Sequence, residues 1–269
     1  MKSILKKYVV LTYLLFYLFI LLIGATLFIF NSPIPGEVLK IISAWTSTFV
    51  FLAMFKKIYK QENLIEFIKK QFSQKIKLKV LISLFLLQIF IFLIGILIVS
   101  FITKAPLNKS ITTSGMTIII MFFSNLIRGP LGEELGWRGF FLNELQRKLN
   151  PLKSAIIVGV LWGFWHLPLW LLSGYEGIQL IQYIFFFLVG IISTSVIITA
   201  FYNLNHNLVI PIIIHQLFNF LMWLQSGEAL IILSITSSVY FLAAAFIVLL
   251  NYKNCLYRSK KDMDIVKAM

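Results

Sequence analysis

Six side chains between positions 133 and 219 have the types and spacing for hydrolytic chemistry: Glu133, Glu134, Arg138, His166, His215 and Asn219. All sit on or beside apolar runs. Ionisable groups set against lipid-length apolar segments are costly, and by default they mark a functional site. On a helix, residues i and i+4 share a face, whereas neighbours point about 100° apart. Glu134 and Arg138 therefore read as an ion pair, and Glu133 projects elsewhere, able to accept a proton. His166 lies one helical turn after Trp162. His215 and Asn219 can enter one cavity together. A Glu–His pair can activate water, and a His–Asn pair can donate hydrogen bonds to an oxyanion. Glu133, His166 and His215 could also ligate zinc, since Glu and His are ordinary zinc ligands.

Other hydrolytic devices are excluded by composition. Both Asp residues, Asp262 and Asp264, lie in the terminal polar tail, so no aspartyl dyad can form in the apolar segments. There is no GxSxG and no HExxH. The lone cysteine, Cys255, reads as part of the polar tail, outside the spans. If the chain is a protease, water is the nucleophile.

The elements that must hold these groups are helices in a membrane. Hydrophobic residues make up 59% of the 269, with 16% aromatic and a mean hydropathy of +0.92. Soluble domains are nearer half apolar. The fold class expected is all-α, a polytopic bundle of about eight transmembrane helices at roughly 20 residues each. The expected spans are 8–30, 38–55, 78–102, 116–127 continuing past a break to 149, 155–172, 178–202, 208–224 and 229–250. The first is read as an uncleaved span behind a basic start. Breakers Asn31 to Gly36 end it, and Gly129, Pro130 and Gly132 kink the fourth. Residues 64–72 have helical apolar spacing with Lys between, which suits an amphipathic surface helix or a solvated linker. Three regions are expected: residues 1–109 with three spans and a basic linker, 110–225 as the catalytic core, and 226–269 as the last span and tail.

The net charge of +14 does not point to nucleic acid, because the lysines lie between apolar spans. They read as topology signals and as contacts for anionic lipid. With the N-terminus inside, residues 1–7, 56–79, 128–153 and those after 252 hold 21 of the 24 basic residues. Both termini are then cytoplasmic in a multi-pass protein of the cell membrane, and Glu133 and Glu134 fall near the cytoplasmic side.

Three motifs in order carry a family resemblance. Glu133-Glu134-Leu-Gly-Trp-Arg138 matches EExxxR, Trp162 to His166 matches FxxxH except for Trp in place of Phe, and His215 to Asn219 matches HxxxN. Over roughly residues 110–225 the chain resembles the CPBP (CAAX-protease, Abi and bacteriocin-processing) intramembrane endopeptidases. The resemblance implies that Glu133 and His166 activate water, that His215 and Asn219 stabilise the oxyanion, and that Glu134 and Arg138 support them. It implies a peptide or a prenylated, lipophilic protein as substrate. A metal-free glutamate mechanism is favoured over zinc, because no further strong ligand is needed to explain these residues. Trp162 reads as aromatic for aromatic, a matter of packing or substrate fit and not of polar chemistry.

The competing function is non-catalytic: a membrane immunity or scaffold protein, or a proton-coupled transporter, since buried Glu and His also serve proton relays. A transporter is expected to show internal repeats, and none is evident. Among the other polar residues, His206 reads as structural, Glu144 with Arg147 and Lys148 as a solvated interfacial face, and Glu176 and Glu228 as loop residues.

Overall fold

Uncharged runs of Leu, Ile and Phe can satisfy their backbone polar groups in lipid only as helices or closed barrels. The computed structural model, which describes residues 2–29, 34–112 and 114–257, takes the helical solution, with a single isolated bridge, Ile111 to Gln225, among those residues. Asn31 to Pro33 of the expected first turn, and the tail bearing Asp262 and Asp264, lie outside the described residues.

The chain forms α1 (Lys2–Ile29), α2 (Ile34–Ala44), α3 (Thr46–Ile58), α4 (Leu64–Phe72), α5 (Leu78–Thr103) and α6 (Gly115–Ile127). After Gly129, α7 (Pro130–Glu134) runs into a π-helical segment, Leu135–Leu142, and then α8 (Asn143–Gln146). There follow α9 (Pro151–Trp165), α10 (Leu167–Leu171), α11 (Gly177–Asn205), α12 (Val209–Leu224) and α13 (Ala229–Leu250). This is a multi-pass membrane bundle. Among the described residues, five helical stretches are long and apolar enough to cross: α1, α5, the α6–α8 run, α11 and α13. The bent α2–α3 pair makes a sixth if it is one crossing. The remaining two expected spans, α9 and α12, are apolar but only 15 and 16 residues long. At about 1.5 Å per residue they fall short of a ~30 Å hydrocarbon layer.

Two expected straight spans are broken. The second bends by 50° at Trp45, whose indole donates to the Ile127 carbonyl at 2.9 Å. The fifth stops at His166, since Pro168 has no N–H to offer the Phe164 carbonyl four residues back. Tyr17 Oη donates to that carbonyl instead, at 3.1 Å. The 64–72 segment is helical as expected, capped by Asn63, whose side chain accepts from Ile65 and Glu66 N–H. Its Phe67 is buried against Phe51, Phe55 and Tyr59, so this helix docks on the bundle.

Cross-links fix which helix ends lie together. Lys77 N–H bonds Asn205 Oδ1, Tyr59 Oη bonds Glu144, and Leu152 N–H bonds the Leu256 carbonyl. These contacts gather the lysine-rich segments at one end of the bundle. Arg128 does not join them: it pairs with Glu37 at 2.5 Å, beside Lys40, away from that end. Nor do Glu133 and Glu134 lie there. Eight π-helical and four α-helical residues separate Glu134 from the end of α8, at most roughly 18 Å at α-helical rise.

The glycines of the fourth span act by close approach rather than as breakers alone. A Cβ on Gly132 would stand 2.6 Å from the Trp45 ring, and one on Gly136 would stand 2.6 Å from the Ser47 backbone carbon and from Tyr8 Oη. Around them Tyr8, Phe51, Trp137, Phe140 and Trp162 form one buried aromatic cluster, while α5, α11, α12 and α13 enclose a second, aliphatic one. Because backbone cannot yield as a side-chain tip can, Gly136→Ala is expected to destabilise the protein by ~1–3 kcal/mol. Thermal unfolding of the detergent-solubilised variant checks this, and a midpoint equal to wild type would refute the close-approach account.

Candidate active site

The Glu134 carboxylate is the centre of the polar cluster. Its Oε1 accepts from Arg138 Nη1 and from His215 Nδ1, each at 2.8 Å. All three residues are buried, with Glu134 and Arg138 fully enclosed. The i, i+4 ion pair expected from spacing is therefore present, and it also grips α12 through His215, a link between distant segments that spacing did not indicate. The π-helical winding between these residues leaves carbonyls displaced, and Asn143 Nδ2 donates to those of Arg138 and Gly139, both at 3.0 Å. π segments of this kind occur often at functional sites.

Trp162 ties the remaining groups together. Its indole N–H donates to Glu133 Oε2 at 2.6 Å. Its ring lies 4.2 Å from the Arg138 guanidinium carbon, a cation–π arrangement, and meets the His215 ring edge-on at 4.8 Å between centroids. Its backbone carbonyl accepts from His166 Nδ1 at 2.8 Å. The expectation that Trp for Phe leaves the polar groups untouched is thus corrected. Phe has no N–H, and here the N–H holds an oxygen of Glu133. The signal was the spacing of Trp162 one turn before His166, which puts both on one face.

Glu133, His166, His215 and Asn219 all line one cavity of about 580 Å³, together with Trp162 and Arg128. Glu134 and Arg138 stand behind it. Further out, the lining includes Gln225, Gly227 and Ala229 between α12 and α13, and Tyr183 near the start of α11. Those elements lie at the end of the bundle away from the lysines. Among the described residues, no direct hydrogen bond joins Glu133 to His166; they face the same space. Because a carbonyl only accepts, His166 carries its proton on Nδ1 and keeps a lone pair on Nε2. Glu134 likewise holds a proton on His215 Nδ1.

The other polar residues divide cleanly. His206 ends α11 with a left-handed φ of 51°, a structural position. Glu144 is buried, not solvated: it accepts from Tyr59 Oη at 2.6 Å and pairs with Arg147 at 3.3 Å. Cys255 is buried in the second core cluster, not part of a solvated tail. Among the described residues, no three His, Cys, Asp or Glu side chains gather closely enough to hold a metal ion. The alternative zinc set of Glu133, His166 and His215 shares a cavity without assembling as ligands.

Comparison with known proteins bears on this geometry. Residues 115–221 match a family model described as type II CAAX prenyl endopeptidase Rce1-like. CAAX prenyl protease 2 of Methanococcus maripaludis is 31% identical over 205 residues, covering 70% of this chain and 72% of that protein. Fold and matches together define a membrane-embedded hydrolase with CAAX protease-like function. The chain belongs to the CPBP family of intramembrane endopeptidases.

Breaking a buried ion pair by removing one partner typically costs ~3–5 kcal/mol, whereas removing both charges costs far less. Arg138→Met alone is expected to destabilise by that amount. Glu134→Gln with Arg138→Met should recover much of it. A double-mutant cycle by denaturant unfolding in detergent measures the coupling, and a coupling near zero would show the pair to be energetically idle.

Proposed function

We propose that this chain hydrolyses a peptide bond of a membrane-associated lipophilic or prenylated protein or peptide at the cell membrane, without a metal. The observation that carries the proposal is the shared cavity of Glu133, His166, His215 and Asn219, backed by the buried Glu134–Arg138 pair. The substrate class follows from the CAAX prenyl protease named among its relatives.

In this reading a water molecule lies between Glu133 and His166, which are not bonded directly. Trp162 holds Glu133 Oε2, so Oε1 or the lone pair of His166 Nε2 takes the water proton as the oxygen attacks the scissile carbonyl. Charge then gathers on the carbonyl oxygen. Asn219 donates its amide N–H there. His215 donates from Nε2 when its ring carries both protons, with Glu134 as counter-charge. The proton taken from water passes to the departing amine as the C–N bond breaks.

Cleavage of a farnesylated C-terminal CAAX peptide by the purified protein in detergent is the direct test. Glu133→Gln removes the general base and is expected to cost at least ~10²–10⁴-fold in turnover. Asn219→Ala is expected to cost ~10²–10³-fold in kcat. Full activity in Glu133→Gln would remove the assignment, and retention of a cellular phenotype by that variant would favour the scaffold reading. Dialysis against a chelator should leave cleavage unchanged; loss restored by zinc would overturn the metal-free mechanism. Trp162→Phe keeps the ring but frees Glu133, and it is expected to lower kcat about a hundredfold with KM little changed, since small misplacements of catalytic groups cost that much. A change confined to KM would make Trp162 a substrate contact instead.

A further inference from the structure

A second cavity in the bundle lies apart from the one that holds Glu133. It measures about 680 Å³ and lies between the start of α5, the end of α11 and the end of α13. Its apolar lining includes Val80, Phe201, Leu204, Ile247 and Leu250. Its mouth carries Lys77, Lys79 and Lys253 with Tyr252. None of these residues takes part in the hydrolytic cluster.

The position of this cavity along the helices is informative. α5 becomes apolar at Leu78, and α13 stays apolar to Leu250 before Asn251 ends it. Leu249 and Leu250 are exposed, as lipid-facing residues are. The cavity therefore straddles the level where hydrocarbon gives way to water, with three ammonium groups on the wet side and an apolar slot beneath them. Lys77 spends one of its three donors on the Leu204 carbonyl at 2.7 Å, which anchors its ammonium group over the slot.

The turn that presents Lys253 is held by more than its own sequence. Asn251, Lys253 and Asn254 all have left-handed backbone, with φ of 38°, 54° and 58°. Asn tolerates that region; for Lys it is uncommon. The turn is fixed from outside itself: Asn203 Nδ2 donates to the Cys255 carbonyl at 2.9 Å, and Leu152 N–H donates to the Leu256 carbonyl at 2.9 Å. Strained backbone fixed in this way is characteristic of ligand clamps.

We infer that this cavity binds one anionic phospholipid, its phosphate held by Lys77, Lys79 and Lys253 and an acyl chain laid in the slot between α5 and α13. Charge complementarity selects this occupant over the chain's own tail. Residues 258–269 carry four basic side chains against two acidic ones, and so would bring positive charge to a positive mouth. Basic pockets between membrane helices recognise lipid headgroups in this way. The inference does not rest on the proposed hydrolysis.

The test is native mass spectrometry of the full chain in detergent, with phosphatidylglycerol and chain-matched phosphatidylcholine as probes. Wild type is expected to retain phosphatidylglycerol preferentially. Lys79→Gln with Lys253→Asn, which spares the structural bond of Lys77 and suits the left-handed backbone, should weaken retention about thirtyfold. Ser83→Phe, which leaves the charge unchanged and fills the slot, should also release the lipid. Lys57→Gln with Lys60→Gln removes the same charge elsewhere on the lysine-rich end and should bind as wild type does. Equal losses in the two double variants would reduce the effect to diffuse attraction and overturn the site. So would equal retention of both lipids, wild-type binding by Ser83→Phe, or binding that appears only when residues 258–269 are removed.

Discussion

One carboxylate oxygen, Oε1 of Glu134, receives hydrogen bonds from two helices at once. In a lipid-embedded interior, an ion without partners is too costly to keep, while a paired and hydrogen-bonded one can persist. Arg138 supplies the opposite charge from the same helical run, and His215 supplies a second donor from α12. The result is a charged joint between the segment bearing Glu133 and the segment bearing Asn219. Trp162 completes it from α9 by covering the guanidinium and reaching Glu133. Three helical segments are thus held in register by the buried pair and its hydrogen bonds.

That joint requires close packing, and the packing depends on absent side chains. Gly132 and Gly136 let Trp45 and the α3 backbone approach the helix that carries the glutamates. The aromatic cluster of Tyr8, Phe51, Phe140 and Trp137 then closes over the same face. Broken helices are tolerated at this depth because their freed carbonyls find donors: Trp45 reaches Ile127, Tyr17 reaches Phe164, and Asn143 reaches Arg138 and Gly139. Irregular backbone within a membrane survives only where such partners are at hand. The irregular places are also the places where His166 and Glu133 enter the cavity.

The two cavities divide the molecule by chemistry. One is lined by groups able to exchange protons and lies beside the π-helical segment. The other is apolar with a cationic mouth and lies at the lysine-rich end. Three of the lysines, read from composition as topology signals and lipid contacts, are brought by the fold to the second cavity.

Periodicity and composition were enough to establish an all-helical membrane bundle and to locate most of its helices within a few residues, since lipid leaves an apolar chain few alternatives. The motif spacing also picked out Glu133, His166, His215 and Asn219, which line one cavity, and Glu134 and Arg138, which form the buried pair. It could not reveal that α9 and α12 are too short to cross alone, that the second and fifth spans break, or that Glu144 and Cys255 are buried, because each depends on neighbours remote in the chain. Nor could it distinguish Trp162 as a hydrogen-bond donor from Trp162 as packing. An indole serves either purpose, and only the carboxylate brought to it by another helix decides which.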